Sequence, residues 1–509
     1  MKNKNLKVIV CILVLQFSGA ILKAQNNNTS MKELYRPQIH FSPKAHWIND
    51  PNGMVYSKGI YHLFFQYHPF STIWGPMHWG HTTSKDMIHW KDEPIAIYPD
   101  SIGTIFSGSA IVDKNNTSGF GKNGIAPLVA IFTQHNMDGE KAGINTYQNQ
   151  SLAFSNDEGK TWTKYEGNPV LKNPGIKDFR DPKVMWYEAK QKWIMTLATA
   201  DKITFYSSAN LKDWTKESDF GKTLGAHGGV WECPDLITID DNGKPQWVLI
   251  VNINPGAPNG GSGTQYFIGD FDGKNFTTAQ TDTRWLDYGP DNYAGVTWSN
   301  TGKRKILLGW MSNWLYANQV PTETWRNAMT IPRELNIKHV GKNIYVTALP
   351  INELKKLEIK PIVFNNIIVN KSLKLAGKVG KISMPCKINL TVDANNDFSF
   401  IVNNKVGDTL VIGFDKKQNQ FYIDRKKAGK ADFNIDFAGR HYGPRLATTN
   451  KINLSLIFDA SSVELFADDG LSVMTSIYFP AKPYDQIQIN CKNKLNLSTL
   501  KFANLKSIW

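Results

Sequence analysis

Three acidic residues in the first half of the chain stand beside prolines. They are Asp50 in Trp47-Ile-Asn-Asp-Pro-Asn-Gly53, Asp181 in Phe179-Arg-Asp-Pro182 and Glu232 in Trp231-Glu-Cys-Pro-Asp235. A residue before proline is biased toward extended backbone, so each acid is expected at a strand end, aimed in a fixed direction. Asp-Pro is also an ordinary turn dipeptide. The Trp, Asn or Arg beside all three acids, in otherwise apolar strands, brings the functional reading level with the turn reading. Several carboxylates among aromatics suit carbohydrate chemistry. Cleaving a glycosidic bond takes one acid to protonate the leaving oxygen, and a second carboxylate to attack the anomeric carbon or activate water. Close carboxylates push each other's pKa values apart, giving one acid and one base. Arg180, beside Asp181, is expected to keep that third carboxylate ionised, suited to holding hydroxyls or stabilising positive charge.

What must position these acids is legible in outline. The 509 residues are 41% hydrophobic and 20% charged, which excludes a disordered chain. No apolar run past residue 25 approaches the ~20 residues of a membrane helix, so no membrane insertion is expected. The net charge of +14 invites a nucleic-acid reading. However, residues 351–509 carry +9 and residues 1–24 carry +4, leaving +1 for the segment with the acids. No basic cluster with interleaved aromatics occurs, and no nucleic-acid partner is expected.

Lys2, Lys4 and Lys7, the apolar run Val8–Leu15 and small residues up to Ala24 have the shape of a secretory signal cleaved after Ala24. Cys11 follows Val10 and sits too early for lipidation. Residues 25–34 are expected to be a disordered mature N-terminus, and the protein to be exported, to periplasm or medium. The four cysteines form no Cys-x-x-Cys pair. Cys386 and Cys491 could pair under oxidising conditions or remain buried thiols.

Fifteen of the 16 Trp precede residue 350. This composition shift marks a boundary, with a connection over 349–360. Residues 35–350 read as short strands, among them 60–67, 128–134, 202–208, 247–254 and 305–310. A loose repeat runs through them: Ser84-Lys-Asp-Met-Ile-His-Trp90, Ser155-Asn-Asp-Glu-Gly-Lys-Thr-Trp162, Ser208-Ala-Asn-Leu-Lys-Asp-Trp214 and Gly269-Asp-Phe-Asp-Gly-Lys-Asn-Phe276. Periods of about 50–70 residues of strand suggest propeller blades, and about five fit. Residues 351–509 alternate apolar and polar over 398–403, 410–414, 421–424, 452–458, 463–466 and 472–479, as a β-sandwich would. The expected fold is all-β: a five-bladed β-propeller followed by a C-terminal β-sandwich.

The Trp-Ile-Asn-Asp-Pro-Asn-Gly run resembles the hallmark of the β-fructosidases of glycoside hydrolase family 32, the levanases, inulinases and invertases. Phe64-Phe-Gln-Tyr-His68, Ile73-Trp-Gly-Pro-Met-His-Trp-Gly80, Ile105-Phe-Ser-Gly-Ser109, Phe179-Arg-Asp-Pro182, Gly228–Leu236 and Gly309-Trp-Met-Ser-Asn-Trp314 match family blocks in the family order. The resemblance continues through Phe458–Phe479 and covers nearly everything after residue 35. It implies a propeller and sandwich and a retaining mechanism. Asp50 would be the nucleophile, Glu232 the general acid and then base, and Asp181 the holder of fructosyl hydroxyls. Retention in turn predicts about 5–5.5 Å between the Asp50 and Glu232 carboxyls. Asn49, Asn52, Gln66, Trp74, Phe106, Ser107, Arg180 and Trp314 are the implied substrate-binding residues, with Asn52 ordering the turn after the nucleophile.

Seven of 11 His lie between His40 and His89, but without a metal motif. No metal and no cofactor is expected. The implied substrates are fructans (levan, inulin) and sucrose. An endo-acting levanase, a fructosyltransferase, an inverting hydrolase on the same propeller and a non-catalytic sugar binder are the alternatives. Linkage preference, oligomeric state and the role of the sandwich are not readable.

Overall fold

A computed structural model describes residues 31–509. The expected export signal and the polar run to residue 30 lie outside the described residues. Of the stretch 25–34 expected to be disordered, only residues 31–34 are described. Met31 is buried, and Arg36 is ion-paired to Glu33.

Five antiparallel sheets of consecutive strands follow one another, each with four principal strands. Their innermost strands are His46–Ser57, Thr104–Val112, Phe179–Tyr187, Val230–Asp241 and Tyr293–Thr297, which head blades I to V. Each innermost strand touches the next around the ring, and the fifth touches the first. This is a five-bladed propeller. The ring is tied shut where Trp325–Arg326, on an excursion from blade V, pairs in parallel with His46–Trp47 of blade I. Ser299 also donates its N–H to Met54 O at 2.9 Å.

The repeated motifs are the turns between third and fourth strands of blades I to IV. In blade I, Ser84 Oγ accepts the Met87 N–H at 2.8 Å and Asp86 Oδ1 accepts the His89 N–H at 2.9 Å. In blade III, Asn210 Oδ1 accepts the Asp213 N–H at 2.9 Å. The short polar side chains thus replace backbone partners that the turn cannot supply.

Residues 358–505 form the sandwich. Alternation decides its layers: Phe398, Phe400 and Val402 are buried while Ser399, Ile401 and Asn403 are not. The buried set meets Ile388, Leu390, Leu454 and Leu456 in one core. The final strand, Gln486–Leu505, serves both layers. It pairs with Phe398–Asn403 through residues 486–491 and with Cys386–Val392 through 497–504. Cys386 and Cys491 are free thiols.

Propeller and sandwich meet over a buried ionic network. Arg333 bonds Asp287 at 2.8 Å and also Glu464. Arg425 bonds Asp291 at 2.6 Å. His40 bonds Asp459 at 2.7 Å through Nδ1 and Glu464 at 2.8 Å through Nε2. Burial lowers the His40 pKa, but the two carboxylates more than offset this and push it up to about 9. The raised value fixes the sign of a linkage. His40 contributes its full stability below the unfolded value of 6.5, and loses it as the pH rises through about 9. The thermal midpoint of the wild type is therefore expected to fall between pH 7 and 10, and to fall less in His40→Gln. Equal slopes in the two proteins would refute the assignment.

Candidate active site

Each innermost strand carries a bulge, two residues facing one on the neighbouring strand. The pairs are Asn49–Asp50 opposite Gln66, Phe106–Ser107 opposite Thr133, Asp181–Pro182 opposite Leu197, Cys233–Pro234 opposite Val251, and Ala294–Gly295 opposite Gly309. A bulge re-aims side chains and bends the strand. Here, the bulges of blades I to IV turn their neighbours toward one cavity of about 310 Å³, and the bulge of blade V follows Tyr293, whose hydroxyl meets Glu232. Asp50, Asp181 and Glu232 all line it, with Asn49, Gln66, Trp74, Phe106, Ser107, Arg180 and Trp314.

The prolines do not hold the residues before them extended at two of the three acidic segments. Asp181 precedes Pro182 but has φ 63°, and Cys233 precedes Pro234 with φ 43°. Both are left-handed rather than extended. The acids sit inside strands at bulges rather than at strand ends. Asp181 is held there by its own N–H, donated to Thr133 Oγ1 at 3.0 Å. Asn52 is also corrected. It lies within the first innermost strand rather than in a turn, is buried, and does not line the cavity.

One residue ties two of the acids together and stands next to the third. Cys233 follows Glu232 in the chain. Its N–H donates to Asp181 Oδ2 at 3.0 Å, and its thiol lies 3.5 Å from Asp50 Oδ2 and 3.6 Å from Asp181 Oδ2. Asp50 accepts from Asn49 Nδ2 at 2.9 Å and from Ser107 Oγ at 2.7 Å. Trp47 Nε1 fixes the Asn49 amide by donating to its Oδ1 at 2.8 Å. Glu232 accepts from Arg180 Nε at 3.1 Å through Oε1, and from the Tyr293 hydroxyl through Oε2. Arg180 also bonds Asp178 at 2.6 Å.

Arg180 was expected to hold Asp181 ionised. Its guanidinium instead bonds Glu232 and Asp178. Burial raises the Asp181 pKa; Arg180 opposes this, but the charges of Glu232 and Asp50 add to it, and the net direction is up. Glu232 is likewise raised, by burial first, with Arg180 opposing and Asp50 reinforcing. The Cys233 thiol is pushed well up by burial and the acids around it, and stays a neutral donor.

The walls are aromatic. Trp314 stacks on Trp47 at 5.9 Å, and Phe106 stacks on His135 at 4.1 Å. Tyr293, Cys233, Asp178, Gln148, His135 and Glu140 join the site without having been singled out in the sequence. Tyr293 was reachable. The intervals from Asp50 to Ser107, Asp181, Glu232 and Tyr293 run from 51 to 74 residues, close to the blade repeat, and a fifth term was due near 293. A larger cavity of about 590 Å³ is lined by later parts of the innermost strands, including Lys183, Asp235 and Thr297, but contains none of the three acids. Carboxylate chemistry, not size, picks the smaller one.

Two acids of raised proton affinity beside a third carboxylate, between flat apolar walls, have what glycosidic cleavage needs. Fold and site define a glycoside hydrolase. The model of the glycosyl hydrolases family 32 N-terminal domain matches residues 40–348, and that of the family 32 C-terminal domain matches 353–506. The chain belongs to glycosyl hydrolase family 32. It is 44% identical over 522 residues to a levanase of Bacillus subtilis, covering all of this chain and 76% of the relative. It is 37% identical to an extracellular exo-inulinase of Aspergillus niger, over 88% of this chain and 90% of that one. Among solved structures, the fructofuranosidase of Schwanniomyces occidentalis complexed with fructose superposes with a TM-score of 0.86 at 35% identity, covering 94% of this chain and 99% of that one.

Proposed function

We propose that this enzyme is an exported β-fructosidase that releases terminal fructose from levan and inulin, and cleaves sucrose, by double displacement. The observation that carries the reading is the Cys233 bridge, which gathers Asp50, Asp181 and Glu232 around one point. The relatives named levanase, exo-inulinase and invertase support the substrate class. A cavity of about 310 Å³ is at the small end for ligand pockets and suits one terminal sugar unit.

Asp50 attacks the anomeric carbon while Glu232 passes its proton to the leaving oxygen, so the fructosyl unit becomes an ester of Asp50. Esterification removes the Asp50 charge, and with it one of the causes that raise Glu232. Glu232 is then held ionised, the form in which it can act as the general base. It takes a proton from water as the water oxygen bonds the anomeric carbon and the bond from that carbon to Asp50 breaks, which releases fructose and restores the Asp50 carboxylate. Asp181 is freed of the same repulsion and holds fructosyl hydroxyls. The Tyr293 hydroxyl lowers the Glu232 pKa by donating to it. Tyr293→Phe is therefore expected to move the alkaline limb of the kcat/KM profile to higher pH, and an unmoved limb would show that Glu232 is not the acid.

The proposal is tested by a product profile on levan, inulin and sucrose. Free fructose from the first time point is expected, absent with Glu232→Ala. Early short oligosaccharides would mean endo action. No product from any of the three would overturn the reading.

A further inference from the structure

The mouth of the pocket continues outward along blade I as an uncovered aromatic strip. Trp74 packs edge-on against Phe106 at 6.1 Å in the pocket wall, and Ile73 before it is 47% exposed. Phe70 is 77% exposed and Tyr98 is 54% exposed. Both pack edge-on against the buried His78 ring, at 5.9 Å and 5.6 Å, which fixes them without covering them. His68 packs against Phe70 at 6.2 Å, and its Nδ1 meets Ile73 O at 2.8 Å.

Register places this strip at the pocket end of the blade. Gln66 lines the cavity, and His68 lies two residues on, opposite Trp47. His78 lies opposite Tyr67, and Tyr98 follows Ile97, which lies opposite Trp79. The strip thus runs from the inner toward the outer strands of the blade. Single exposed hydrophobic residues are ordinary. A contiguous set that begins at a binding pocket marks an interaction site.

The occupant follows from the chemistry. The nearest charges, Lys164 and Asp100, neutralise each other at 2.6 Å beside Tyr98, and Lys164 also bonds Tyr98 O. The strip is aromatic, and the charged pair beside Tyr98 is neutralised, which suits the apolar faces of a neutral sugar chain. A pocket that takes one terminal unit leaves the rest of a polymer to exit by its mouth. We propose that Phe70 and Tyr98 bind fructan units on the leaving side of the scissile bond, and so set preference for polymer over sucrose. This rests on the β-fructosidase reading above.

The test compares kcat/KM on levan, inulin and sucrose for the full chain and the Phe70→Ala/Tyr98→Ala double variant, with Ile368→Ala as a control on the sandwich, since Ile368 is 53% exposed on the strand Glu358–Lys374. The double variant is expected to lose about tenfold on at least one polymer, chiefly through KM, and to stay within about twofold on sucrose. The control is expected to change neither. Unchanged polymer kinetics, or equal losses on polymer and sucrose, would overturn the proposal. So would a shift in oligomeric state on sizing with polymer kinetics unchanged, because the strip would then be a contact between copies. Wild type inactive on all three substrates would instead take down the functional reading itself.

Discussion

Glu232→Ala is expected to lower kcat on levan or inulin by about 10²–10⁴-fold, the usual worth of a positioned general acid. Asp50→Ala is expected to lose at least as much. The two losses differ in kind, and this difference separates the roles. A fructoside with a good aryl leaving group needs no protonation. On that substrate Glu232→Ala should regain its first step, with the second still slow, giving a burst of the aryl alcohol. Asp50→Ala lacks the attacking carboxylate and should show no burst on any substrate. Both variants should keep the wild-type circular dichroism and thermal midpoint, because neither carboxylate belongs to an apolar core. Reversed behaviour on the aryl substrate would exchange the two assignments, and wild-type activity in either variant would remove it from the machinery.

Arg333→Met is expected to destabilise the protein by about 3–5 kcal/mol, because it leaves buried charge uncompensated. Arg333 bonds Asp287, Glu464 and Thr475, and the side chains of all three charged residues are fully buried. Breaking such a network costs far more than breaking a surface pair. Arg304 supplies the comparison. It also holds two carboxylates, Glu334 and Glu353, but its side chain is 32% exposed. Arg304→Met is expected to cost no more than about 1 kcal/mol. Urea midpoints at pH 7 check both. Equal effects would show that water reaches the Arg333 network, and that the propeller–sandwich contact is softer than its burial implies.

The sequence made some elements plain and hid others, for physical reasons. The sandwich strands were legible because one face is buried and the other is not, so Phe398-Ser-Phe-Ile-Val-Asn403 alternates as a two-residue period must. The strand 202–208 was read at its observed ends. The innermost propeller strands were read only as strand ends and not given bounds, although they carry the site. Their bulges place Asn, Asp, Pro and Gly where a regular ladder would reject them, and a proline in a strand argues against the strand. The acids were found by the same residues that hid the strands. Tyr293 and Gln148 carried no motif of their own and enter the site through position in the ring alone. Arg180 does favour the Asp181 charge, but burial and the neighbouring acids outweigh it, and its hydrogen bonds go to Glu232 and Asp178. The pairing that matters runs from blade III to Glu232 of blade IV.

The five bulges have a consequence for how such a site can change. A bulge sets two residues opposite one, so removing one of the two restores an unbroken ladder; the flanking pairs, Ile48 with Tyr67 and Pro51 with Phe65 in blade I, keep their partners, and only the aim of the residue left between them changes. A blade could keep its sheet and lose its share of the pocket through a single deletion at its bulge. The pocket is therefore written in residue count as well as residue identity. Substitution can tune which sugar it holds, while chain length at five points decides whether there is a pocket to tune.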